Sequence, residues 1–226
     1  MIISDYIKTK TNILKTNNNM SKFISSTFGL ISGRHGTAVA MISKSTGKNY
    51  LRIHTVPSDP KTAKQLAQRA KFGFVTSEMN CFHNLFKITF GGNQGVSHGL
   101  SLAFKAVTGT YPNFSFDYSK LVLSTGGLDT TGQVSCLKTT GTTVQCEWDT
   151  TIGFQGNDND AVNLVFFEEN DKIGILKRNV AVRSAGNIEI VLPDVWIGHE
   201  IHCWIFFSTA NDSMNSNSRY ISAVQL

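Results

Sequence analysis

No stretch of this 226-residue chain approaches the ~20 consecutive apolar residues of a membrane helix. Residues 1–19 are basic, with Lys8, Lys10 and Lys15 breaking up Ile2, Ile3, Ile7, Ile13 and Leu14. They hold neither an apolar signal core nor a small-residue cleavage site, so an ordinary secretory signal is excluded. A cytoplasmic or virion-associated location is therefore expected, a non-standard export route apart. Charged residues are scarce at 16%, well under the usual quarter of a globular domain. Four cysteines (Cys81, Cys136, Cys146 and Cys203) form no CxxC pair and no zinc spacing. No Lys-Ser or Lys-Thr follows the glycines of Gly91-Gly92-Asn93-Gln94-Gly95, so there is no P-loop. No cluster of His, Cys or carboxylate suggests catalysis. The expectation is a non-enzymatic protein with no cofactor and no resident metal.

Apolar mass is plentiful. The chain is 41% hydrophobic with fifteen Phe, enough for a packed core and against global disorder. Thr, Ser, Asn and Gly take the place of the missing charge, which suits a β-rich protein with many turns. The net charge of +5 is unevenly spread: residues 1–110 carry a surplus of +11 and residues 111–226 a deficit of −6. Opposite potentials on the two halves favour head-to-tail self-association, or simply packing of one half on the other.

Thr37 to Ser43 and Asn49 to Val56 read as a hairpin around Thr46-Gly47-Lys48, and Pro57-Ser58-Asp59-Pro60 stops its second strand. Thr62 precedes Gln65 by three residues, which is a capping box. Ala63, Leu66, Ala67, Ala70 and Phe74 mark the expected buried face of the helix that follows, with Lys61, Lys64, Gln68 and Lys71 opposite. A second helix is expected around Val96 to Val107, while Cys81 to Phe90 reads as either helix or extended chain. From Phe114 onward, short strands recur: Gln133 to Lys138, Thr143 to Asp149, Asn163 to Glu168, Ile173 to Lys177, Ile188 to Leu192, Ile201 to Ser208 and Tyr220 to Val224. Close spacing and Gly, Asn and Asp turns predict an antiparallel sandwich of immunoglobulin or fibronectin type. The expected fold is thus mainly β (α+β). Residues 1–27 would be a mobile tail, with Met20 an alternative start. Residues 28–110 would form the hairpin-plus-helix region, and 111–226 the sandwich.

Several residues in order carry a resemblance. They are Gly29, Ser32-Gly33, Gly36, Arg52, Pro57, Pro60-Lys61-Thr62, Gln65, Gln68-Arg69 and Lys71-Phe72. Gly109-Thr110-Tyr111-Pro112, Asp117-Tyr118-Ser119-Lys120 and Gly126-Gly127-Leu128 follow, then Trp148, Pro193, Trp196 and the close from Ser218 to Leu226. Together they resemble an uncharacterised Bacteroidota family, a domain of unknown function. Asp59 stands where that family usually has Asn, and a Ser-rich turn where Trp-Lys-Gly is common. The resemblance implies a fold and a taxon, with no functional residue to transfer. The loop-to-helix motif followed by a sandwich is also loosely similar to small structural-module proteins of phages and prophages.

Candidate chemistry is sparse. His199 and His202, three apart on a strand, point to opposite faces and make an awkward metal pair. Asp158-Asn159-Asp160 and Glu168-Glu169 with Asp171 offer oxygens for calcium, but read more simply as solvated turns. Cys136 and Cys146 fall on consecutive strands; a cross-strand bridge is open, with free buried thiols preferred. Arg52, Lys61, Lys64, Arg69 and Lys71 are the candidate basic interaction residues, and Asp158, Asp160, Glu168 and Glu169 the acidic ones. The expected partner is protein, the chain itself included. Nucleic acid is the alternative through phosphate contacts, and a carbohydrate-binding or adhesive module the second alternative.

Overall fold

The computed structural model describes residues 21–23, 31–56, 58–59 and 61–226. Residues 1–20, 24–30, Pro57 and Pro60 lie outside it, and with them most of the expected tail and the two prolines expected to stop the hairpin. The chain divides into two compact units, Met1–Pro60 and Lys61–Leu226.

The first unit carries β1 (Ser21–Phe23), β2 (Gly33–His35), β3 (Ala38–Ile42) and β4 (Asn49–Ile53). They form one antiparallel sheet in the order β1-β4-β3-β2. The expected hairpin is its centre, and Gly47 takes the positive φ of 62° that the turn requires. The expectation of a tail to residue 27 needs correcting, because Ser21–Phe23 pair with Asn49, Tyr50 and Leu51.

The second unit opens with α1 (Ala63–Glu78), α2 (His83–Thr89) and α3 (Gly92–Ala103). The Thr62 hydroxyl accepts the Gln65 N–H at 3.4 Å, so Thr62 caps α1 where the sequence predicts, by the Thr62 half of the expected capping box. Thr62→Ala should lower stability by about 1 kcal/mol in urea titration, the ordinary loss for an N-cap. Coincident midpoints would show that the cap contributes nothing. The expected buried face of α1 is only half right. Ala63 and Leu66 are exposed, and burial begins at Val75, Glu78 and Met79. Helix α3 approaches α2 through glycine: a Cβ on Gly99 would meet the Phe86 ring at 2.5 Å.

Nine strands follow. A short hairpin of β5 (Val107–Thr110) and β6 (Asn113–Phe116) leads into β7 (Val134–Lys138), β8 (Thr143–Trp148), β9 (Ala161–Glu168), β10 (Ile173–Val182), β11 (Asn187–Val191), β12 (Glu200–Ser208) and β13 (Arg219–Gln225). They make a four-stranded sheet β10-β9-β12-β13 and a three-stranded sheet β11-β8-β7, antiparallel throughout. Side-chain alternation along β9 and β12 gives the four-stranded sheet two apolar faces. Val162, Leu164, Phe166, Cys203, Ile205 and Phe207 meet Cys136, Val144, Cys146 and Trp148 of the other sheet in one core. Val165, Phe167, Trp204 and Phe206 face the other way, into a second core with Val75, Met79, Phe82, Phe86 and Ala103 of the helical segment. The unit is therefore three layers deep, with the four-stranded sheet in the middle.

Candidate interaction site

The basic residues of α1 follow its helical period. Lys64, Gln68 and Phe72 recur every four residues and so share one face. Phe72 is 57% exposed. With Gln68, Ser97, Leu100, Ser101 and Phe104 it lines an open groove of about 310 Å³ between α1 and α3. The Lys71 ammonium lies 4.1 Å from the centroid of the Phe104 ring, a cation–π contact that fixes positive charge at the rim. Lys61, Lys64 and Arg69 are exposed along the same helix. Arg52 belongs to the other unit, exposed on β4.

The acidic residues do not form the single stretch that their sequence spacing suggests. Asp158 and Glu169 are exposed, but Asp160 and Glu168 are 2% and 0% exposed. Strand β9 stands between the two groups and is about 25 Å long. Asp160 turns inward to Arg183, with Nε to Oδ2 at 3.3 Å. Glu168 turns inward at the far end of β9, where its carboxylate accepts the Asn170 and Asp171 N–H groups at 2.8 and 2.6 Å. Both therefore leave the candidate surface, since burial spends their charge on internal partners.

What gathers at the far end of β9 is a different acidic set. Ile201 sits opposite Glu168, so exposed Glu200 lies beside exposed Glu169 and Asp171. Lys172 pairs with Glu78 at the last turn of α1. That ion pair ties the acidic end to the C-terminus of α1, while Lys64 stands in its first turn and Lys71 at its middle. The helix has 16 residues and spans about 24 Å. Positive charge thus runs from the first turn to the middle of the helix whose last turn meets the acidic set.

Two histidines flank the acidic end on opposite faces of the sheet, as their spacing predicts. His199 Nδ1 is 3.2 Å from Glu168, and His202 Nε2 is 3.9 Å from Glu169. Glu168, Asp171 and His199 are close enough to share one ion, a set that combines residues the sequence reading kept apart. His202 is sealed in: it stacks on Tyr118 at 4.1 Å between centroids and shares a 3.0 Å hydrogen bond with the Tyr220 hydroxyl. Burial holds its pKa below the ordinary 6.5, against the upward pull of Glu200 and Glu169. The unfolded chain takes up this proton more readily, so the contribution is present above pH 6.5 and is lost as pH falls through the lower folded-state pKa. His202→Gln should flatten the loss of stability between pH 7.5 and 5.5, read by urea midpoints. An unchanged slope would show that His202 is not held neutral.

A third surface is the outer face of the three-stranded sheet. Gln133, Ser135, Glu147, Asp149 and Asn187 line an open polar depression of about 560 Å³. Trp148 contributes only its edge, because it is 5% exposed and its indole N–H donates to the Arg183 carbonyl at 2.7 Å. A sugar ring would find hydrogen-bonding groups there but no open aromatic face to stack on.

A family model, the family of unknown function DUF6266, matches residues 30–222, and the chain belongs to that family. No curated protein and no solved structure matches the chain.

Proposed function

We propose that this member of an uncharacterised family is a non-enzymatic structural subunit that associates head to tail with copies of itself in a phage-like or cell-associated assembly. One observation carries the reading: Lys64 stands exposed in the first turn of α1, and the exposed carboxylates of Glu169, Asp171 and Glu200 gather where Lys172 pairs with Glu78 at the last turn of the same helix. A surface of this kind is charge-complementary to a second copy of itself, and the head-to-tail arrangement is the one inferred. It is satisfied by the opposite end of the next copy, which generates rings or filaments. The groove beside Phe72 adds apolar area where the basic end makes contact. The order of the two sheets supports a sandwich of fibronectin type, a frame suited to end-to-end contact.

The test is charge exchange. Lys64→Glu with Lys71→Glu should abolish association at low salt in sedimentation velocity, and Glu169→Lys with Asp171→Lys should do the same. Mixing the two variants should restore it, since each then supplies the end that the other lacks. Association of the native protein should weaken as ionic strength rises past 0.15 M, where the Debye length is about 8 Å. A monomer at every salt and concentration would overturn the proposal. Duplex DNA bound at low salt and released steeply with salt, with no self-association, would favour the nucleic-acid reading of the same lysines.

A further inference from the structure

We propose that Cys136 and Cys146 are an oxidisable thiol pair that closes a reversible disulfide clasp across β7 and β8, with hydrogen peroxide or a peroxide of similar size as the oxidant. The argument begins with register. Cys136 on β7 lies directly opposite Cys146 on β8. The Thr139 N–H donates to the Thr143 carbonyl and the Asp149 N–H to the Gln133 carbonyl. Those bonds fix the parity of the ladder: residues 133/149, 135/147, 137/145 and 139/143 are the hydrogen-bonded pairs. Cys136 and Cys146 are thus a non-hydrogen-bonded pair, in which opposing side chains come closest and Cα atoms stand ~4.5 Å apart. That spacing is within the span a disulfide bridges.

Both side chains point into the core, at 2% and 0% exposure, and their sulfurs are 2.9 Å apart. This is closer than two sulfurs stand in ordinary van der Waals contact, so little motion separates contact from a bond. Cys203 of β12 joins the same core from the facing sheet. The contact with Cys146, and then that with Cys203, pulls the Cys136 thiol down, so the oxidation is written with Cys136 as the attacking sulfur. Cys81 belongs to the other core and is pushed up to about 11 by burial. It serves as an internal control.

The chemistry balances. The Cys136 thiolate attacks one peroxide oxygen, breaks the O–O bond and becomes a sulfenic acid; the departing hydroxide takes a proton and leaves as water. The Cys146 thiol then attacks the Cys136 sulfur, its proton leaves with the sulfenic oxygen as a second water, and the S–S bond forms. Two thiols are oxidised and one peroxide is reduced to two waters. A peroxide is near water in size, and β7 is an edge strand of its sheet. Fraying of that edge admits a small oxidant without global unfolding. Reduction by a dithiol reverses the bond.

The test uses the full chain, reduced, freed of reductant and treated with stoichiometric hydrogen peroxide. Alkylation under denaturing conditions should then find two thiols fewer, and peptide mapping should join the segments holding Cys136 and Cys146 with Cys81 and Cys203 still alkylated. The melting temperature should rise by about 5 °C through the closed loop and return on reduction. Cys146→Ala should stop the bond and the rise, while Cys81→Ser should change neither. Four thiols surviving, a bond to Cys203 in place of this one, or a bond only between chains would overturn the proposal. The wild-type thiol count decides the matter even if a variant fails to fold.

Discussion

Asp160→Ala should lower the stability of the second unit by ~3–5 kcal/mol, the cost of leaving a buried charge without its partner. Arg183 is fully buried, and its guanidinium carbon stands 3.8 Å from the centroid of the Phe207 ring. Its Nε faces Asp160 and its Nη2 donates to the Asp129 carbonyl. Asp160 also holds the Arg183 backbone N–H on its own carbonyl at 2.8 Å, and its carboxylate takes the Asn157 N–H at 2.7 Å. Removing the carboxylate therefore strips the guanidinium of its ion-pair partner where it is buried, and leaves it only the weaker pull of Asp129. The measurement is a urea titration of Asp160→Ala against the native protein. Joining it to Arg183→Met should return part of the loss, because the double change removes the charge as well as its partner, and the cycle reads their coupling. A cost below ~1 kcal/mol for Asp160→Ala would mean that the pair is hydrated and not part of the core.

Asp160 also illustrates what one dimension of sequence carries. The strands of the sandwich are legible because alternation and turn residues are local: Thr143–Trp148 and Asn187–Val191 fall within one residue of where pattern puts them, and Ile173–Val182 starts where expected but runs five residues further. The start of α1 is legible for the same reason, since Thr62 and Gln65 are one turn apart. Burial of Asp160 and Glu168 is not, because it depends on Arg183, Asn170 and Asp171 and on the direction the chain takes at each end of β9. Runs of acids read as surface until the strand between them is placed. Leu66 shows the converse: helical period gives it a face, but nothing local says that the sheet stops short of that turn. A usable signal for the three-layer arrangement was present. Val162 to Phe167 and Ile201 to Phe207 are almost continuously apolar, the mark of strands covered on both faces rather than one.

That double coverage sets the second large effect. Phe82→Ala should cost about 3–5 kcal/mol, the range for removing a large aromatic from a core. Phe82 is 2% exposed and stands where the helical segment meets the sheet, with ring centroids 5.2 Å from Phe167, 6.3 Å from Trp204 and 6.2 Å from Phe86. Phe167 and Trp204 lie on β9 and β12, whose other faces fill the sandwich core. A cavity at Phe82 thus weakens a layer that the sandwich shares. The expected result by calorimetry is one transition for residues 61–226, moved to lower temperature as a whole. If the helices were a separate folding unit, the substitution would shift a helical transition and leave the sandwich melting where it did before. That split, or a loss under ~1 kcal/mol, would show that the aromatic contacts at Phe82 join surfaces without making them cooperative. A single shifted transition would mean that the helical segment and both sheets unfold as one cooperative unit, a rigidity that the proposed end-to-end association would draw on.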